Sequence, residues 1–377
     1  NLKNKINKRT LVFSLCENSL ESVVGYLGFL GGSIVPVLIS GTIKNELLDN
    51  LFLTYKPEYI WLKSKKANAG NWGTEVYRFG NYVLLKTAHV IDYTLHEDLA
   101  LLLTTSGSTG SPMLVRQTYK NINNNANIIA QYLEITQTDR PITTLFMSYT
   151  YGLSIINSHL LKGCTIILTN KTLMEKTFWE HLRTHEATTF GGVPYTYEML
   201  KKLRVSRMEL PSLKYITQAG GKLSSNLSLE FSNICEQKDI RFFVMYGQTE
   251  ATARMSYLPS KYATSKAGSI GISIPGGEFS LEDDEDNVIL DCDTVGELVY
   301  KGDNVTMGYS ASCQDLCKGD DNDGVLKTGD LAKRDADGFY YIVGRRKRFL
   351  KLFGNRVNLD EVELYINGLG YNCVCSG

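Results

Sequence analysis

The stretch that most constrains this chain is Leu101 to Lys120, LLLTTSGSTGSPMLVRQTYK. An apolar run ends abruptly in nine residues, Thr104 to Pro112, that include no bulky side chain. A buried strand that empties into small hydroxyls and glycines presents backbone N–H groups at the carboxyl edge of a sheet. Glycine permits positive φ and close approach of a ligand, and the hydroxyls add donors. That composition suits a polyphosphate held without many buried charges. The spacing is not that of a Walker loop, because no Gly-Lys-Ser/Thr follows Gly107 at the required offset.

Around it, strand-like and helix-like segments alternate. Leu11–Leu15, Ile34–Ile39, Tyr59–Leu62, Leu99–Thr104, Thr165–Leu168, Thr188–Phe190, Lys214–Thr217 and Phe242–Met245 read as strands. Asn18–Leu30, Asn121–Leu133, Leu153–Leu161, Lys176–Thr184, Thr196–Leu203 and Asn226–Cys235 read as helices, the first with Asn18 as N-cap and Glu21 three residues on. Such alternation predicts an α/β fold of helix-covered, mainly parallel sheets, with ligands at the carboxyl ends of the strands. After about Pro275 short strands separated by Asp/Gly turns follow: Glu278–Glu282, Gly296–Tyr300 and Phe339–Val343. They predict a small antiparallel, barrel-like subdomain, with the acidic run Glu282–Asp286 in a solvated turn. The expected division is 1–275 for the sheet core, 276–343 for the subdomain and 344–377 for a hinge and the start of a further, truncated domain.

Composition narrows the classes. With 40 basic and 40 acidic residues the net charge is zero, so no global field recruits nucleic acid or an anionic membrane. Val23 to Ser40 runs eighteen residues without a charge, but its glycines and Pro36 divide it into a helix and a core strand rather than a membrane span. The eight cysteines lack facing Cys-x-x-Cys units of zinc spacing and read as reduced thiols of a cytoplasmic protein. His181 and His185 are spaced i,i+4 without a third ligand and read as a surface helix. No signal peptide opens the given chain.

Three further segments follow the glycine-rich loop in a fixed order. They are Tyr246-Gly247-Gln248-Thr249-Glu250; Lys327-Thr328-Gly329-Asp330 with Asp337-Gly338-Phe339; and Gly344-Arg345-Arg346-Lys347-Arg348 with Lys351 to Val357. Together these motifs resemble those of the adenylate-forming ligases, the acyl- and aryl-CoA synthetases and their carrier-protein-loading relatives. The resemblance covers nearly the whole chain. It implies ATP-dependent activation of a carboxylic acid to an acyl-adenylate, with release of pyrophosphate, and then transfer to a thiol of CoA or of an acyl carrier protein. It implies ATP and Mg²⁺ as cofactors. It also implies a small C-terminal domain, of which only the first helix, about Leu359 to Asn367, is present here.

Residue by residue, the resemblance matches Thr105, Ser106, Gly107, Ser108, Thr109 and Gly110 to the β,γ-phosphate loop. It matches Thr249 to an α-phosphate contact and Glu250 to the Mg²⁺ ligand, a hard oxygen for a hard cation. Tyr246 is expected against the adenine face, with Gly247 and Gln248 beside it and Ala219-Gly220-Gly221 wrapping the adenine. Asp330 corresponds to the ribose ligand and Arg345 to an arginine reaching ribose or phosphate. Lys347 falls at the hinge, and Lys351 in the segment of the thiol-dependent step. In the acyl pocket Tyr149 is the expected gate, with Tyr151, Gly191, Gly192, Pro194 and Tyr195 as walls that favour a small or planar acid. No aspartate stands between Phe146 and Asn157 to pair an α-ammonium, which weakens an amino-acid substrate. One position departs from the pattern: Met113 stands where the family's loop usually has a lysine. Arg116 and Lys120 are nearby cations that would replace its charge, and a nucleotide-binding descendant with impaired catalysis is the alternative expectation.

Overall fold

The computed structural model describes residues 5–68, 70–89, 91–104, 113–346, 349–352 and 355–359, with 362, 363, 366, 373 and 375. The first seven strands lie in one eight-stranded sheet: β1 (Leu11–Cys16), β2 (Val35–Ser40), β3 (Tyr59–Lys63), β4 (Thr74–Phe79), β5 (Tyr82–Lys86), β6 (Leu99–Thr104) and β7 (Leu114–Thr118). Its order is β15-β7-β6-β2-β1-β3-β5-β4, the outermost member being the two-residue β15 (Tyr309–Ser310). The centre, β6-β2-β1-β3, is parallel, and the margins are antiparallel. A second sheet holds β8 (Thr189–Gly192), β9 (Tyr215–Gln218), β10 (Arg241–Tyr246), β11 (Ser256–Leu258) and β12 (Ile272–Ser273). Here β8-β9-β10 is parallel and β11 and β12 are antiparallel.

Alternation along the parallel strands decides what each face buries. Phe243 and Met245 of β10 point into one cluster, and Phe242 and Val244 into another. The second of these is covered by α6 (Lys176–Thr184), α7 (Pro194–Lys202) and α8 (Ser225–Gln237). The first sheet behaves alike: Leu11, Phe13 and Leu15 meet α2 (Asn45–Tyr55) on one face, and Leu38, Leu101 and Leu103 meet α1 (Leu20–Leu30) on the other. A four-residue α3 (Ser64–Ala67) follows β3. Between the two sheets lie α4 (Tyr119–Tyr132) and α5 (Thr150–Leu161). Ile122, Leu153 and Ile156 pack toward the first sheet, and Ile129, Tyr151 and Ile155 toward the second. A helix used on both sides has no solvent face, and α5 is buried nearly all round for that reason, Ser154, Ser158 and His159 included.

The antiparallel part is an open sheet, β13-β14-β16-β17, from β13 (Glu278–Glu282), β14 (Gly296–Lys301), β16 (Val325–Arg334) and β17 (Tyr340–Arg345). It does not close into a barrel among the described residues. A backbone hairpin, β18 (Phe349–Leu352) with β19 (Asn355–Asn358), follows.

Three local expectations change. Thr165–Leu168 makes only a single bridge, Ile142 to Ile167, because its outer residues are solvated. Ser19, not Asn18, caps α1 by accepting from Ser22 N; Asn18 is buried and its amide donates to Leu145 O (3.1 Å) and Thr169 O (3.3 Å). Arg116 is unavailable as a replacement charge, being 0% exposed. It donates to the carbonyls of Tyr309 (3.1 Å), Lys318 (2.6 Å), Gly319 (3.0 Å) and Met307 (2.6 Å), and pairs with Asp321 (2.6 Å). No described helix is long and apolar enough to cross a membrane.

Removing Arg116 strands four carbonyls and a carboxylate at once. Arg116→Ala is expected to destabilise the fold by about 3 kcal/mol or more. A lower urea midpoint at unchanged slope is the readout, and a midpoint equal to that of the parent contradicts it.

Candidate active site

The site forms where the second and third sheets meet. Asp330 on β16 lies opposite Arg345 on β17, in direct strand register. The Asp330 residue is 4% exposed, and each of its carboxylate oxygens has a partner. Oδ2 accepts from Tyr246 Oη (2.6 Å) and from Gln248 Nε2 (3.0 Å), and Oδ1 pairs with Arg345 Nε (3.1 Å). Gln248 Nε2 also lies 3.0 Å from Thr328 O. Burial, reinforced by the Asp330 charge, pushes the Tyr246 hydroxyl well above its ordinary range, so it stays a donor. The sequence placed Tyr246, Gln248, Asp330 and Arg345 in one site; it did not show that Tyr246 and Gln248 act by holding Asp330.

After β10 the chain turns sharply. A Cβ on Gly247 would lie 1.8 Å from Ala253 O, so only glycine fits this close approach. Thr249 and Glu250 occupy a short 3₁₀ turn, Thr249–Ala251. Glu250 Oε1 accepts from the Tyr309 hydroxyl, and its backbone carbonyl accepts from Thr306 N (2.9 Å). The following Thr252 holds φ +64°, a strained value for threonine. Its carbonyl accepts from Thr150 Oγ1, and its hydroxyl donates to Asn304 O (2.7 Å).

The expected acyl walls converge on the expected adenine loop. Gly220 has φ +78°, and a Cβ there would lie 2.3 Å from Tyr149 Oη. Gly221 abuts Pro194, and Ala219 N donates to Gly192 O (3.2 Å). Tyr149 and Tyr151 stand ring to ring at 6.4 Å. Tyr151 is buried, with its hydroxyl 2.7 Å from Thr217 Oγ1, and Gly191 lies against that hydroxyl. Tyr195 is 65% exposed, because α7 buries Tyr197, Met199 and Leu200 instead.

Met113, one residue before β7, is 37% exposed. Lys120 is engaged by Asp303 (2.9 Å). Thr105, Ser106, Gly107, Ser108, Thr109, Gly110 and Lys347 lie outside the described residues. Lys351 is on β18, a backbone placement only. The described residues hold no cluster of three or more histidine, cysteine or acidic side chains able to bind a metal alone.

Sequence reasoning missed a buried polar group behind Tyr151. His159 Nδ1 lies 2.8 Å from Ile155 O and must donate to it, so Nε2 of the neutral ring accepts from Tyr215 Oη (2.9 Å). Arg254 sits over the Tyr151 ring at 5.1 Å. His159 had a signal, a titratable residue inside the helical run Leu153–Leu161; Arg254 lies between Thr252 and Ser256 and had none.

With this geometry in place, the comparisons are direct. The family model for "AMP-binding enzyme" matches residues 2–310. The chain belongs to this family of adenylate-forming enzymes. It is 30% identical over 272 residues to a 2-succinylbenzoate–CoA ligase of Bacillus velezensis, covering 72% of this chain and 54% of that protein. It is 28% identical over 271 residues to a 4-coumarate–CoA ligase-like protein of Arabidopsis thaliana, covering 71% of this chain and 47% of that one. The chain thus spans about half the length of the curated relatives it matches. Among solved structures, the Bacillus subtilis o-succinylbenzoate CoA synthetase with its acyl-adenylate OSB-AMP superposes with TM-score 0.77 at 24% identity, over 96% of this chain and 73% of that one. The anthranilate CoA ligase AuaEII with anthranoyl-AMP gives TM-score 0.78 at 20% identity, over 96% and 72%. These two likenesses establish the fold.

Burial lowers the His159 pKa from 6.5 to about 4. The unfolded chain therefore takes up a proton first as pH falls. Stability from this group is fully present above pH 6.5 and is lost toward pH 4, by at most about 3 kcal/mol. Denaturation midpoints measured between pH 7 and 4 should fall more steeply in the parent than in His159→Gln; parallel curves contradict the assignment.

Proposed function

We propose that the protein activates a carboxylic acid with ATP, releasing pyrophosphate, and passes the acyl group to a thiol. The observation that carries this reading is the buried, triply held Asp330 carboxylate beside Arg345. One carboxylate fixed in this way can accept from both hydroxyls of a ribose, and Arg345 adds a cation at its edge. Membership of the AMP-binding family, and relatives named as CoA ligases, support it.

In this reading each part has a physical task. The Ala219–Gly221 loop, kept open by Gly220, surrounds the adenine. Tyr246 and Gln248 orient Asp330, so no rotamer freedom is lost when ribose arrives. Thr249 contacts the α-phosphate, and the Thr105–Gly110 loop takes the outer phosphates by resemblance. Mg²⁺ fits the donor set at Glu250, a half-buried carboxylate whose second oxygen has no hydrogen bond among the described residues. When bound it would neutralise phosphate charge. Tyr149 and Tyr151 confine the acid beside the nucleotide. Lys347 serves as the hinge and Lys351 belongs to the second step, both by resemblance. CoA is the acceptor the relatives' names favour; a carrier-protein thiol offers the same chemistry. No disulfide joins the described cysteines, which fits a cytoplasmic setting.

Acid-dependent ATP–pyrophosphate exchange across an acid panel tests the reading; ATP binding with no acid driving exchange overturns it. Asp330→Ala should weaken ATP binding about thirtyfold or more, ~2 kcal/mol for a lost charge-assisted acceptor. Unchanged affinity by calorimetry in a folded variant removes the ribose role. Met113→Lys should tighten pyrophosphate about tenfold, a modest gain because the site is partly solvated, and make binding more salt-sensitive. Since Met113 is partly exposed, its melting temperature without ligand should hold.

A further inference from the structure

We propose that Tyr309 is the positioning residue of the Glu250 carboxylate. Its hydroxyl fixes one carboxylate oxygen and so presents the other to a divalent cation carried by the nucleotide. The inference rests on the reading of Glu250 given above and deepens it.

Tyr309 belongs to none of the motifs that single out Glu250, and the two stand 59 residues apart in the chain. The Tyr309 hydroxyl donates to Glu250 Oε1. An ionised carboxylate only accepts, so the proton of this contact lies with the tyrosine. Glu250 Oε2 has no hydrogen bond among the described residues. One oxygen is therefore held and the other is open. A glutamate left to itself turns about several bonds and must be ordered when a cation arrives, at a cost in entropy. A glutamate already held by one oxygen has less freedom to lose.

The holding group is itself fixed from several directions. Gly308, at φ +97°, turns the chain just before Tyr309. Strand β15 then pairs with β7, with Tyr309 opposite Val115. The buried Arg116 donates Nε to Tyr309 O (3.1 Å) and Nη2 to Met307 O (2.6 Å), and its backbone N–H donates to Gly308 O (3.0 Å). The same segment reaches Glu250 a second time, because Thr306 N donates to the Glu250 carbonyl (2.9 Å). Backbone and carboxylate of Glu250 are thus both set by residues 306–309. Since β7 is the strand that follows the glycine-rich segment, Glu250 is tied to the strand that carries the expected phosphate loop.

A phenol suits this task. It carries its donor on a rigid ring with two rotatable bonds. It is neutral, so it adds no charge to repel a cation, as a lysine in its place would. Tyr246 holds Asp330 by the same device (2.6 Å). Hydrogen-bond partners of metal-ligating carboxylates commonly govern metal affinity by tenfold or more.

The test measures ATP affinity by calorimetry on the intact protein, with excess Mg²⁺ and with a chelator, in the parent, Tyr309→Phe, Glu250→Gln and the double variant. Mg²⁺ should tighten ATP binding in the parent. Tyr309→Phe should reduce that gain about tenfold and leave the affinity measured with chelator unchanged. In ATP–pyrophosphate exchange the same variant should need about tenfold more Mg²⁺, with kcat recovered at saturating metal. Because the Tyr309 ring is partly exposed and is retained, the melting temperature without ligand should hold. On the Glu250→Gln background Tyr309→Phe should add no further loss, since it acts through that carboxylate. An Mg²⁺ gain equal in Tyr309→Phe and parent overturns the inference. Equal losses with and without Mg²⁺ mean that Tyr309 touches the nucleotide itself, and a full loss on the Glu250→Gln background means that it acts elsewhere; both overturn the inference and leave the reading of Glu250 standing. Mg²⁺ that leaves the ATP affinity of the parent unchanged overturns the cation role of Glu250 and this inference together.

Discussion

The structure depends on how one buried seam satisfies its backbone. Loops after β10, before β15 and at the start of α4 meet where three sheets converge, out of reach of bulk water. Backbone N–H and C=O groups there need partners supplied from elsewhere. Asn304 provides two: its amide donates to Ala251 O (2.8 Å) and Arg254 O (3.1 Å), while its oxygen accepts from Tyr300 Oη (2.7 Å). Asn121 donates to Asp303 O and Val305 O, both at 2.8 Å, and Asn125 to Arg254 O (3.0 Å). Arg116 does the same for the 307–319 loop. These side chains hold Thr252 in its unfavourable φ and so fix where Glu250 and Arg254 start.

The two flanks of that turn differ in electrostatic state. On one side each Asp330 oxygen has a donor, which holds the carboxylate rigid and leaves acceptor capacity for a ligand. On the other side Arg254 is buried and under-served beside a cavity. Neighbouring His159 adds no charge, because its burial keeps the ring neutral.

The eight-stranded sheet and the helix pair α4–α5 explain how so long a chain stays continuous. Its two parallel centres are joined through helices that are apolar on both sides, so neither sheet can reorganise without moving the other. The Tyr149–Tyr151 segment opens α5. The expected acid pocket is therefore built on the layer that couples the sheets.

The sequence by itself determined the class of fold, the strands that carry the loops, and the family. Those follow from local signals: apolar runs of strand length, glycine where backbones approach, and short motifs in order. It also grouped Tyr246, Asp330 and Arg345 by resemblance, and the structure puts all three in contact through the Asp330 carboxylate. Only the tertiary structure decided what these residues do to one another. The Asp330–Arg345 pair depends on strand register, which nothing in either segment encodes alone. Arg116 and Arg254 are both buried cations, and they part ways through what surrounds them. Tyr195 and Tyr151 likewise differ by which helix face is buried, not by their neighbours in the chain. Charge compensation and burial are properties of contacts between distant segments, so no window of sequence could supply them.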